Sequence, residues 1–155
     1  MERIKKILAP TDLSDLSQAG VRYAMELATT VGAEVTVYHV VGTDELMHHD
    51  PLRALDHMLE RSEAELGQFL EDYFSDLLPL VEVRKKVEIG APDANIVEAA
   101  KKDGADLIVI STHGRTGLSH ILVGSVTEKV VRHAPCPVLS IRPEAREKKK
   151  VEAAA

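Results

Sequence analysis

Residues 105–127 read ADLIVISTHGRTGLSHILVGSVT. Leu107 to Ile110 is wholly apolar, bounded by Asp106 and Ser111, and too short for a helix, the pattern of a strand buried on both faces. It gives way to a loop bearing Gly114, Gly117 and Gly124, and from Ser125 to about Ala134 the pattern is helical. Beyond Pro135 and Pro137, Val138 to Ile141 reads as another strand. Strand, glycine-bearing loop, helix and strand in this order form one βαβ unit.

The same alternation extends toward the N-terminus. Ile4 to Ala9 is a buried strand ending at Pro10. A helix from about Ser14 to Val31 carries Val21, Ala24, Leu27, Ala28 and Val31 on one face, and Gly32 is placed to end it. Glu34 to Val41 is rich in β-branched residues and reads as the second strand. After a loop over Gly42 to His49, Asp50 and Pro51 open a long helix. Its stripe runs Leu52, Leu55, Leu59, Ser62, Leu66, Phe69, Leu70, Tyr73 and Leu77, and Pro79 stops it. A sheet-facing stripe explains this spacing more simply than a coiled-coil partner. Val81, Val83, Val87 and Ile89 alternate with charged residues, as an edge strand would, and Pro92 to about Lys102 is a short helix. The order βαβαβαβαβ implies an α/β fold, an open five-stranded parallel sheet with helices on both faces.

Composition limits what such a domain does. The chain has 155 residues, 45% hydrophobic and 28% charged, which suits one soluble globular domain. We read residues 1–143 as that domain and 144–155 as a charged, solvated extension, the alternative being a partner-binding tail. The net charge of -6 argues against collecting nucleic acid phosphates. No run approaches the roughly 18 apolar residues of a membrane span, and the N-terminus lacks the pattern of a signal peptide. The single cysteine, Cys136, reads as a small buried hydrophobe and points to a reducing cytoplasm.

Open parallel sheets bind ligands beyond the carboxyl ends of their strands, where the strand order reverses. With a Rossmann-like order 3-2-1-4-5, that point lies between the first and fourth strands. Pro10-Thr11-Asp12 and Ser111-Thr112-His113-Gly114 then meet at one crevice, and a helix starting near Ser125 offers amides suited to phosphate. The adjacent His48, His49 and Asp50 lack the spacing that puts metal ligands on one helix face.

These segments carry a resemblance. APTDLS near the start, HVV after the second strand, ADLIVISTHGRTGL, and GSVTEKVVRHAPCPVL near the end resemble the universal stress proteins of the UspA superfamily, over nearly all of Lys5 to Arg142. Nucleotide-binding members of that family carry GxxGx9G followed by Ser or Thr. The matching positions here are Ser111, Gly114, Gly124 and Ser125, with serine in place of the first glycine; its hydroxyl is small and able to donate to a phosphate.

The resemblance implies an adenine nucleotide (ATP, or AMP or ADP), with Pro10, Thr11 and Asp12 bordering ribose and adenine and Val40 against the adenine. The chemistry agrees: Asp12 can accept from a ribose hydroxyl or help hold Mg²⁺, and Val40 offers apolar surface to a base. Asp12 as a turn or cap residue before Ser14 is the competing reading. Gly114 and Gly117 permit close backbone approach, Arg115 is the expected side-chain cation, and Gly124, Ser125, Val126 and Thr127 present amides and hydroxyls at the helix start. An ordinary cap by Ser125 is the alternative there. His113 is expected to order the loop rather than do chemistry, and His39 to be a satisfied structural residue.

The phosphate lysine of GxxxxGK[ST] is missing and no base is evidently placed to activate water. The expected function is therefore a nucleotide-dependent stress-response or signalling module; a slow ATP hydrolase and a nucleotide-independent interaction protein are the alternatives. Val138 to Ile141 should be an edge strand open to a second copy, and the resemblance implies a homodimer through it.

Overall fold

The computed structural model describes residues 3–44, 51–113 and 123–143, with backbone alone at 51–53. Five strands, β1 (Lys6–Pro10), β2 (Glu34–Gly42), β3 (Val83–Gly90), β4 (Leu107–Ser111) and β5 (Val138–Ile141), form one sheet in the order β3-β2-β1-β4-β5. Every pair is parallel; Ile7 stands opposite Val35 on one side and Leu107 on the other, and Ile108 opposite Val138. The fold is the one that the alternation of elements implied.

Alternation within the strands sorts side chains onto two helix layers. Ile7 and Ala9 of β1 pack with Val21, Ala24 and Met25 of α1 (Gln18–Val31) and with Leu66, Phe69 and Leu70 of α2 (Pro51–Phe74). Leu8 points the other way, to Ile96, Ala99 and Ala100 of α3 (Pro92–Asp103) and Val130 of α4 (Ser125–His133). Each fully buried Ile, Leu or Val contributes about 1.5–3 kcal/mol relative to exposure, so the central β1 and β4 are the thermodynamic spine. Cys136 is half-buried beside the second layer, and burial pushes its thiol above the ordinary range.

The helix ends follow local chemistry. Gly32 (φ 72°) and Gly104 (φ 63°) close α1 and α3 in the left-handed conformation and return their amides to the helix carbonyls. The long second helix stops at Phe74, short of the expected Pro79, because Arg22 takes the Tyr73 carbonyl (2.6 Å) and also pairs with Asp76 (3.0 Å). The Leu77 amide, which would have bonded that carbonyl, bonds Phe74 instead (2.9 Å). A 3-10 turn at Leu78–Leu80 follows, so β3 begins at Val83 rather than Val81. At the amino ends of the strands, the Asp106 carboxylate accepts from the Lys5 and Lys6 amides (2.9 and 3.0 Å) and ties β1 to β4.

Candidate functional site

At the carboxyl end of β1 the chain makes turns where a helix start was expected. The Thr11 amide donates to the Tyr38 carbonyl (2.8 Å). The Thr11 hydroxyl accepts from the Leu13 amide (3.0 Å) and bonds the Ser17 hydroxyl (2.7 Å). Asp12 Oδ1 accepts from the Ser14 amide (3.0 Å) and the Ser14 hydroxyl. Short polar side chains thereby draw the backbone into local turns, with Leu13 at φ 64°, and α1 starts at Gln18 instead of Ser14. Asp12 fills its turn role and still lines the cavity described below.

Ser111 departs from expectation. Its hydroxyl accepts from the Gly20 amide (2.9 Å) and donates to the Ser17 carbonyl (3.3 Å), so it faces α1 rather than a phosphate. Gly20 is the third residue of α1, where an amide has no partner within its own helix. Ser17, the residue at the N-cap, makes no side-chain cap. Ser111 is thus a cap delivered from another strand. A Cβ on Gly20 would lie 2.7 Å from the Ser111 nitrogen, which explains why glycine sits at this approach.

The start of α4 is held to the same strand end. The Gly124 amide donates to the Thr112 carbonyl (2.6 Å), and the Thr127 hydroxyl donates to the Ser111 carbonyl (2.8 Å). Gly124 is the N-cap residue and supplies no side chain, so Ser125 is not an ordinary cap. The first amides of α4, at Ser125, Val126 and Thr127, are of the kind that have no intrahelical acceptor and attract anions. The Thr127 hydroxyl is directed to Ser111, leaving its amide as its polar contribution to the helix start. His113 Nδ1 lies 2.9 Å from the Thr112 hydroxyl, which orders this strand exit.

β2 outruns β1. The last β1 partner of β2 is Tyr38, whereas β2 stays paired with β3 as far as Gly42. Tyr38 turns its carbonyl to β1 and Val35 its amide to β3, so backbone groups alternate sides. Val40, two residues past Tyr38, therefore points its amide and carbonyl to the side that β1 has vacated.

These exits surround one cavity of about 360 Å³. Pro10, Thr11, Asp12, Val40, Ser111, His113, Gly124, Ser125, Val126 and Thr127 all line it. Gly114, Arg115 and Gly117 lie outside the described residues, as do His48, His49 and Asp50. The structure adds Tyr38, His39, Ser62, Glu65 and Ile96 to the wall. Of these, Ser62 had a visible signal, a polar residue inside an apolar helical stripe. His39 is buried, with Nδ1 2.9 Å from the Thr11 carbonyl, the structural bond expected of it. Burial, with Glu88 nearby, raises the Tyr38 phenol above its ordinary value of 10.0, so it stays protonated. Among the described residues no cluster of three His, Cys, Asp or Glu has metal-binding proximity, and no helix is long and apolar enough to cross a membrane.

The family model for the universal stress protein family matches residues 3–142. Universal stress protein MJ0531 of Methanocaldococcus jannaschii is 36% identical over 145 residues, covering 92% of this chain and 85% of that protein. The solved structure of MJ0577, from the same organism, superposes with a TM-score of 0.78 at 28% identity, over 94% of this chain and 99% of that one. A universal stress protein solved in complex with cAMP shares the fold, with a TM-score of 0.67 at 21% identity over 92% and 99% of the two chains. Strand order, exit sequences and a match along almost the whole chain converge: this chain belongs to the universal stress protein family.

Proposed function

We propose that this chain binds an adenine nucleotide and acts as a nucleotide-dependent stress-response module. The observation that carries the reading is the meeting of the β1, β2 and β4 exits with the amide-bearing start of α4 around one cavity. Across the sheet, the base lies against Val40 and its outward backbone, the ribose against Asp12, and the phosphates at Gly124 to Thr127. Gly114, Gly117 and Arg115 complete the phosphate end by their place in the sequence motif. The cAMP complex of a fold relative supports an adenine nucleotide as the ligand class. Mg²⁺ would enter on the phosphates, and Asp12, a carboxylate of the cavity wall, would serve it as the alternative to accepting from the ribose.

We place the working unit at residues 1–143 and regard 144–155 as a solvated extension, with the cytoplasm as the compartment. A homodimer through β5 fits the strand's edge position, where β4 is its sheet neighbour and Val131 of α4 is 54% exposed nearby in sequence. Sedimentation against concentration tests it.

The nucleotide reading is tested by denaturing the purified protein, separating the released small molecules by chromatography, and titrating the refolded or nucleotide-free protein with Mg²⁺ and ATP. Release or saturable binding of an adenine nucleotide is expected. Failure of both refutes the reading. Product analysis in the same experiment separates retention of ATP from its hydrolysis.

A further inference from the structure

Ser62 interrupts the sheet-facing stripe of α2, yet only 7% of it is exposed. Its hydroxyl makes no hydrogen bond among the described residues, not even the bond to the carbonyl four residues back that Thr29 makes to Met25 (2.9 Å). Among the described residues every fully buried side-chain N or O atom has a partner, so this hydroxyl opens onto the cavity whose wall it joins and can bond what enters there. His39 stands on the same layer of the sheet as α2, two residues from Val37. Its Nδ1 faces the Thr11 carbonyl, which can only accept, so Nδ1 carries the proton and a neutral ring leaves Nε2 as an acceptor. Nε2 has no hydrogen-bond partner among the described residues.

The two groups lie at one end of the site. α4 stands beyond β4, Asp12 follows β1, Val40 is on β2, and α2 packs over β2 and β3. Ser62 and His39 are therefore remote from the phosphate end and adjacent to the base end. The Val40 carbonyl and the Glu65 carboxylate, which is paired with Arg61 at 2.9 Å, make this lobe rich in acceptors. Such a lobe calls for a donor.

We infer that Ser62 and His39 receive the exocyclic amino group of a 6-aminopurine, accepting the proton that the Val40 carbonyl does not take. This rests on the nucleotide-binding reading above. The test is a cycle of two proteins and two ligands: wild type and Ser62→Ala, each titrated with ATP and with purine riboside triphosphate, which lacks the amino group. Inorganic tripolyphosphate serves as a baseless control.

With ATP, Ser62→Ala is expected to weaken binding about fivefold, the worth of one hydrogen bond. With purine riboside triphosphate or tripolyphosphate it should change nothing. Equal losses with ATP and the deaminated ligand, or no loss with ATP, overturn the inference and leave nucleotide binding standing. If wild type binds none of the three, the inference and the nucleotide reading fall together. Ser62→Leu supplies a second arm: it continues the apolar stripe, so thermal stability should hold or rise while ATP affinity is lost and tripolyphosphate binding is kept. Undiminished ATP binding by that variant also overturns the inference.

Discussion

Gly20→Ala sets two effects of opposite sign against each other. Replacing a helical glycine by alanine ordinarily stabilises by up to about 1 kcal/mol, because glycine loses more backbone freedom on folding. At Gly20 the new Cβ would stand 2.7 Å from the Ser111 nitrogen, 2.9 Å from its Oγ and 3.1 Å from the Ile110 carbonyl carbon. The nearest of these is backbone in a buried central strand, so α1 must retreat from β4. Overpacking of this kind costs about 1–3 kcal/mol, and retreat also loosens the Gly20 to Ser111 hydrogen bond, worth about 1 kcal/mol. A net loss of about 2 kcal/mol follows, a fall in Tm of roughly 4–8 °C for a chain of this size. Gly67→Ala is the internal control, since its Cβ would meet only the flexible Lys85 Nζ at 3.4 Å. That variant should gain about 0.5–1 kcal/mol and raise Tm by roughly 1–4 °C. Differential scanning calorimetry of the three proteins decides the matter: if both alanines raise Tm, the close approach of α1 to β4 does not govern this position.

Ser111→Ala removes the cap on α1 without adding volume and should cost about 1–2 kcal/mol, read as a lowered urea midpoint with unchanged slope. Gly124→Val places a branched side chain where even a Cβ lies 3.0 Å from the Thr112 carbonyl oxygen; shifting the first amides of α4 should weaken ATP at least about tenfold by titration calorimetry. The Lys5 and Lys6 amides hold the Asp106 carboxyl below its ordinary value of 3.8. The folded state therefore favours the ionised form, whose contribution is complete above that value and fades as pH falls through the lower folded value. Asp106→Asn should accordingly be less stable than wild type at pH 7, with the gap between their urea midpoints narrowing as pH falls below 3.8.

Periodicity made the sheet legible because each β-strand and helix announces its buried faces within its own few residues. Leu107 to Ile110 needed no distant information to be read as central, and the alternating charges of β3 marked its edge position. Boundaries moved where a distant side chain intervened. Arg22, in α1, ends α2 by taking a carbonyl 51 residues away, and Ser111 caps a helix amide 91 residues away. No local pattern carries those pairings. In the candidate site, the exits after β1 and β4 could be read from polar and glycine-rich composition. The wall from α2 was legible only in part: Ser62 stands out as a polar residue in an apolar stripe, but what it faces is set only when α2 is laid over β2. The motif marks position 111 as one able to donate to a phosphate, whereas its actual partner, the Gly20 amide, has no signature near it in the sequence.

The overhang of β2 past β1 bears on how this protein tolerates change. For residues 39–42 the strand is paired on one side and, among the described residues, bare on the other, so a pair of peptide groups in the middle of the sheet faces the cleft. Peptide groups are common to every residue except proline, which lacks the amide. Position 40 can therefore exchange one aliphatic side chain for another and keep the same polar face, so a recognition surface of this sort can persist through long divergence while leaving almost no trace in side-chain identity.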